Sequence, residues 1–350
     1  MVSKMVICAR ASVLVCLVIG AVGSTACGTP PTSDNSAAAP GANGGALTRE
    51  FPGTWELVSI DLKDASGDPM PAPAPPGFGS GGATGQLVAG RDGFIGLAIM
   101  QQGRTKGEEL SPEEAVTDVD AYTAMFGTYS VVDSSNLVTV QIQGSRDPRL
   151  TGTVQTSVVT LSGDTMTMEL PLSASGIQPA YHWRKLPELT GLTPTHERVI
   201  GFWRHVPNEG DTAEDPPLRP GFIIYSAAGR MMVHLMGPER SVYAGLAPTP
   251  EEAQATVGSY TSYFGPFSVD EAGGYFVHHR IGHTNDLTDR PKTERRTGLD
   301  TDAQRFYEFV GNRMVLRYLS TSGVQPVPAA GEADWGGMIT WERLSAGSGQ

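Results

Sequence analysis

A block of this sequence occurs twice. Ser111-Pro-Glu-Glu-Ala115 returns as Thr249-Pro-Glu-Glu-Ala253, and Ala121-Tyr-Thr-Ala-Met-Phe-Gly-Thr-Tyr-Ser-Val131 returns as Ser259-Tyr-Thr-Ser-Tyr-Phe-Gly-Pro-Phe-Ser-Val269, in a register that holds as far as Gly144 and Gly282. Gly53-Thr-Trp55 stands ahead of the first block and His182-Trp-Arg-Lys-Leu186 behind it; Gly201-Phe-Trp203 and Thr340-Trp-Glu-Arg-Leu344 frame the second. Self-similarity at a fixed spacing means that one folding unit has been copied. A chain of 350 residues has the length of two domains of roughly 150 residues each. We expect units over 49–187 and 198–345, folding separately and joined by Pro187 to Glu197.

Within the block, Ser111 and Thr249 are suited to N-cap a helix, with Pro112 and Pro250 at its first position and Glu114 and Glu252 completing a capping box. The spacing predicts that each helix runs on until Gly127 or Gly265 stops it. Ala115, Val119, Tyr122 and Phe126, like Ala253, Val257, Tyr260 and Phe264, would then form an apolar packing stripe. Elsewhere the period is two: Ile95, Leu97 and Ile99 alternate with Gly96, Ala98 and Met100, and Met231, Val233 and Leu235 alternate with Met232, His234 and Met236. Such runs recur near residues 54, 86, 95, 128, 138, 153, 165 and 181 of the first copy, and the 43 Gly and 26 Pro supply turns between them. About eight strands close a barrel whose interior is filled by side chains or holds one small ligand. The expected class is all-β with one short helix per repeat, as two tandem antiparallel barrels.

The N-terminal 26 residues read as an export signal, with Lys4 and Arg10 leading into the apolar run Ala11 to Val22. Cys27 follows Ser24-Thr25-Ala26, which is similar to a bacterial lipobox, and residues 27–48 have the Pro/Gly/Ser/Ala composition of a disordered tether. An exported, envelope-located protein anchored through a lipid on Cys27 is the expectation, with soluble secretion as the alternative if Cys27 is not lipidated. The other two cysteines, Cys8 and Cys16, lie inside the signal, so the barrels should contain neither disulfides nor thiolate metal sites. A formal charge of −12 repels phosphate backbones, and no nucleic-acid partner is expected.

Gly-x-Trp at the first strand, the Thr/Ser-Pro-Glu-Glu-Ala block ending in Tyr-Phe-Gly, Gly144-Ser-x-Asp-Pro148, the closing Trp-x-Arg/Lys-Leu and the His278-His279 pair make each copy resemble the bacterial lipocalin-like domain family. The resemblance implies two lipocalin-like barrels over nearly the whole mature chain. It also implies that Trp55 packs against Arg184 or Lys185 and Trp203 against Arg343, structural contacts that close one barrel end.

The copies differ where function would lie. Val138, Val140 and Ile142 share one strand face, and the repeat register puts Phe276, His278 and Arg280 in their places; Arg305 answers Ser157. If that face lines the interior, the first barrel is apolar and filled, and the second has a polar ligand pocket, which His234 would join. The expected ligand is small, apolar or amphipathic, with an anionic or carbonyl group opposite the arginines, because an unpaired buried guanidinium is costly. No metal or cofactor is implied. Two alternatives stay open: an isomerase, cyclase or dehydratase using His278 with Arg280 and Arg305, and an envelope interaction module without catalysis.

Overall fold

The computed structural model describes residues 45–70, 82–104, 110–173, 176–212, 218–284, 301–320, 323–329 and 331–345. The export signal, Cys27 and nearly all of the proposed tether lie outside the described residues. The last part of that tether does not: α1 (Ala46–Glu50) is folded, with Leu47 and the following Phe51 buried in the first barrel. The Asp133 carboxylate accepts from the Gly45 and Thr48 amides and from the Thr48 hydroxyl, which fixes this entry turn.

Eight strands follow: β1 (Gly53–Lys63), β2 (Ala83–Ala89), β3 (Phe94–Gln101), β4 (Tyr122–Val132), β5 (Leu137–Ser145), β6 (Val154–Ser162), β7 (Thr165–Glu169) and β8 (Gln178–Lys185), with α2 (Pro112–Asp120) ahead of β4. Each pairs antiparallel with its neighbour and β8 returns to β1, so the sheet is a closed barrel without an edge. All eight runs expected from the alternation are present.

After α3 (Pro194–Val199) the second copy repeats the plan with β9 (Gly201–Val206), β10 (Gly221–Tyr225), β11 (Arg230–Met236), α4 (Pro250–Ser259), β12 (Tyr260–Asp270), β13 (Tyr275–His279), β14 (Gly282–His283), β15 (Asp302–Val310), β16 (Arg313–Leu319) and β17 (Trp335–Arg343). Here β17 pairs with β9 and β11 with β12, closing the ring. The short β14 continues β13 along the same neighbour, β12, so the pair does the work of β5.

The capping boxes form as expected at Ser111 and Thr249, but the helices end at Asp120 and Ser259. Tyr122, Phe126, Tyr260 and Phe264 belong to strands. Gly127 and Gly265 are strand residues too, and steric room explains them. A Cβ on Gly127 would lie 2.0 Å from the Gln141 carbonyl oxygen, and one on Gly265 would lie 1.9 Å from that of His279. The neighbouring strand passes too close for any side chain at the point where its register shifts.

Each barrel has its own interior core, built around Trp55 and Trp183 in the first and Trp203 and Trp341 in the second. A third core lies between the barrels and draws on both: Val88, Phe94, Ala98, Met100, Tyr122 and Ala124 meet Phe202, Ile224, Met232, Tyr260, Phe264 and Leu344. Phe126 packs on Phe222 with ring centroids 4.3 Å apart. Gly96 lets the two sheets approach closely, since a Cβ there would meet Ile224 Cδ1 at 2.3 Å and force that side chain to shift. Burying a large apolar side chain contributes roughly 1.5–3 kcal/mol, so this seam is a strong contact. The division between 187 and 198 therefore separates two barrels that each have an interior core and share a third along their seam.

Candidate ligand cavity in the second barrel

Trp55 and Trp203 each donate their indole N–H to the carbonyl four residues back, Phe51 at 2.9 Å and Val199 at 2.8 Å. Lys185 Nζ lies 5.0 Å from the Trp55 ring centre and Arg343 5.1 Å from that of Trp203. These cation–π contacts close one end of each barrel. Lys185, and not Arg184, is the partner in the first copy: Arg184 points outward and pairs with Glu56 at 2.7 Å.

Strand register bears on the difference between copies. Val138 faces Ser157 across β5 and β6, and Phe276 faces Arg305 across β13 and β15, so the repeat alignment is the structural one. In the first barrel Val138, Val140 and Ile142 are buried with Met125, Leu150, Met168 and Tyr181, leaving a cavity of about 40 Å³. The second has a cavity of about 510 Å³ that is open at one end. Part of that space arises where Ile339 replaces the larger Tyr181; both lie two residues before the paired tryptophans Trp341 and Trp183.

The cavity wall is apolar along Ile223, Val233, Leu235, Leu316 and Ile339, and carries Arg280, Arg305, Tyr263 and Tyr318. Arg280 is 4 % exposed and donates to Thr301, through Nε to its carbonyl at 3.1 Å and through Nη2 to its hydroxyl at 2.5 Å. Burial brings its pKa down to about 10, so it remains a cation at neutral pH. Arg305 Nη1 donates to the Gln304 carbonyl at 2.8 Å, and its guanidinium lies 5.2 Å from the Tyr318 ring centre. Among the described residues neither arginine forms an ion pair with a carboxylate, although Asp302, also on the cavity wall and bonded to His279, acts electrostatically on Arg280. The buried Trp341 indole N–H, also on the cavity wall, has no acceptor among them.

His278 lies behind this wall, fully buried, with Nε2 2.7 Å from the Tyr225 hydroxyl and Nδ1 3.2 Å from that of Tyr263. Burial, reinforced by the positive charge of Arg305 and Arg280, holds its pKa well below the usual value and keeps it neutral. A neutral imidazole has one donor and one acceptor nitrogen, so one tyrosine donates to it and the other accepts. Tyr225 is buried with no other side-chain hydrogen-bond partner among the described residues, and the shorter bond is its own. It therefore donates to Nε2, Nδ1–H donates to Tyr263, and the Tyr263 hydroxyl proton is left for the cavity. Both imidazole nitrogens are thus committed, and His278 has no lone pair directed at a bound molecule.

Phe276 contributes to the core beneath the cavity rather than to its wall. His234 is elsewhere: it faces the seam, 3.1 Å from the Tyr260 hydroxyl and beside Phe126 of the first barrel. The reason is the period of two, which sends Val233 and Leu235 inward and His234 outward. Burial lowers its pKa to about 3, so it packs as a neutral ring. His279 also faces outward, between Ser268 at 3.1 Å and Asp302 at 2.9 Å. The first barrel has a comparable cross-strand chain, Thr167–His182–Asp61, on its own outer surface.

Sequence reasoning missed Tyr225, Tyr263, Tyr318 and Trp341. Tyr263 was visible as the one residue in Ser-Tyr-Thr-Ser-Tyr-Phe-Gly that replaces Met125 of the first copy. The others had no such signal.

Closed antiparallel barrels, each plugged at one end by a tryptophan under a basic side chain and one of them hollow, define a ligand-binding barrel fold. The chain belongs to the lipocalin-like domain family, which matches residues 52–188 and 218–344. The second match begins after β9, yet β9 closes the second barrel between β10 and β17. No curated protein matches the sequence. Among solved structures, the uncharacterized protein YLR301w from Saccharomyces cerevisiae is similar at a TM-score of 0.36 and 10 % identity, over 83 % of this chain and 98 % of that one.

Proposed function

We propose that the protein binds a small amphipathic ligand in its second barrel, with an anionic or carbonyl head at Arg280, Arg305 and Tyr263 and an apolar body against Ile223, Val233, Leu235, Leu316 and Ile339. The carrying observation is the contrast between a cavity of about 510 Å³ in the second barrel and one of about 40 Å³ in the first. A few convergent polar groups in an apolar wall are the usual make-up of a small-molecule site. These groups are donors, and the two cations outnumber the one carboxylate on the wall, Asp302, which is bonded to His279, so the complementary molecule supplies acceptors. Binding outweighs catalysis because His278, the natural general base, has both nitrogens occupied.

The proposal places this binding outside the cytoplasm, at the end of a tether lipidated on Cys27. Its support is the apolar run before Cys27 and the absence of any later cysteine. The test of the site compares two probes with the same rings, anilinonaphthalene sulfonate and the uncharged N-phenylnaphthylamine. Tighter binding of the sulfonate is expected; equal affinity overturns the anionic head group.

A further inference from the structure

A wall of the second barrel's cavity is held by an arginine of the first. Arg104, just past β3, is buried, with its side chain 4 % exposed. Its Nη1 donates to the His283 carbonyl at 2.9 Å and its Nη2 to the Thr284 carbonyl at 2.8 Å. On its other side it binds Asp118 of α2, through Nε at 3.1 Å and also through Nη2. Asp118 in turn is held by Arg146, whose Nη1 donates to the Asp118 carbonyl at 2.9 Å. The guanidinium therefore fixes the β14 backbone against α2 of the other copy.

That backbone carries part of the site. His283 pairs with Tyr263 across β14 and β12, and its ring stacks on the Tyr263 ring at 5.4 Å and 8°. Both side chains line the cavity, and Arg280 lies 5.7 Å from the Tyr263 ring centre. A second tie from the first barrel reaches the same place: the Tyr122 hydroxyl is 3.1 Å from Ser262 Oγ, and the Ser262 amide donates to Thr284 at 3.1 Å.

The charge cluster is a costly way to join two barrels. Well-packed apolar residues are often as stabilising as a buried ion pair or more so, and the seam already has an apolar core. What a forked guanidinium supplies is direction, because its planar donors fix two carbonyls at once. We infer that Arg104 is a positioning residue for the second barrel's ligand site, and that the filled first barrel serves as a brace for the hollow one. This rests on the anion-binding reading given above.

The test uses the full chain and the ratio of affinities for anilinonaphthalene sulfonate and N-phenylnaphthylamine. Arg104→Met is expected to lower the preference for the sulfonate about tenfold, because Tyr263 and Arg280 lose their fixed placement while the apolar wall remains. Arg104→Lys retains a cation beside Asp118 but cannot fork to two carbonyls, and should fall the same way; it also serves if Arg104→Met does not fold. Val88→Ala, a seam change away from β14, lowers stability and should leave the ratio intact. A wild-type preference that persists in folded Arg104→Met or Arg104→Lys overturns the positioning role alone. So does an equal loss in Val88→Ala, since general loosening then accounts for it. A wild type without preference overturns the anion site and this inference with it.

Discussion

The Tyr225 hydroxyl and His278 Nε2 lie 2.7 Å apart in the interior of the second barrel, where Val140 stands in His278's place in the first. Replacing His278 with that valine leaves a buried hydroxyl without a partner, which costs about 1–3 kcal/mol. Adding Tyr225→Phe removes the orphan, and part of the loss should return. Urea unfolding of the two variants checks this; a double variant no more stable than His278→Val contradicts the assigned bond.

Arg305→Met should weaken anilinonaphthalene sulfonate by about 1.5–3 kcal/mol, the value of a hydrogen bond to a charged group, with N-phenylnaphthylamine nearly unaffected. Thermal stability should hold or rise, because a half-buried cation with no ion-pair partner among the described residues has been removed. Unchanged sulfonate affinity would remove Arg305 from the site.

Two buried histidines make stability fall with acid. His234 is pulled down to about 3 and His278 well below its usual 6.5, so as pH drops below 6.5 the unfolded chain takes up protons that the fold refuses. Each histidine then lowers the folding constant by up to about tenfold per pH unit. Asp120 acts oppositely: burial raises it to about 6 from 3.8, so between those values the folded state holds the proton and one histidine's effect is roughly offset. His234→Phe should flatten the dependence. Denaturant midpoints at neutral pH and near pH 5 measure it, and identical slopes in variant and wild type would clear His234.

The second copy alone, residues 190–345, should not behave as a well-folded monomer. It would present Phe202, Ile224, Met232, Tyr260 and Phe264 to water, all buried against the first copy, and an exposed patch of that kind drives association. Sedimentation and calorimetry of the fragment decide the point. A monomer with a cooperative transition would show that the seam is dispensable.

Cys27→Ser should move the exported protein from the detergent phase to the aqueous phase in a phase-partition experiment, without altering the unfolding of the barrels. Equal partitioning of both proteins would show that Cys27 does not anchor the chain.

The sequence by itself determined the copied architecture and most of its strands, because a half-buried strand must alternate and a repeat must show twice. It also marked Arg280, Arg305 and His278 as points where the copies differ, since each stands where its counterpart is a small or aliphatic residue. It could not say where the helix before Tyr122 stops, because Tyr122 and Phe126 satisfy a helical stripe and a strand face equally well. Only the tertiary structure decided that: both lie on the outward face of β4, buried by the neighbouring barrel. His234 was misplaced for the same reason, as alternation separates two faces without telling which is interior when both are buried. The hydroxyls that hold His278, the volume freed where Ile339 replaces Tyr181, and the reach of Arg104 into the other barrel depend on side chains distant in sequence and brought together by closure and docking. No local pattern records such contacts.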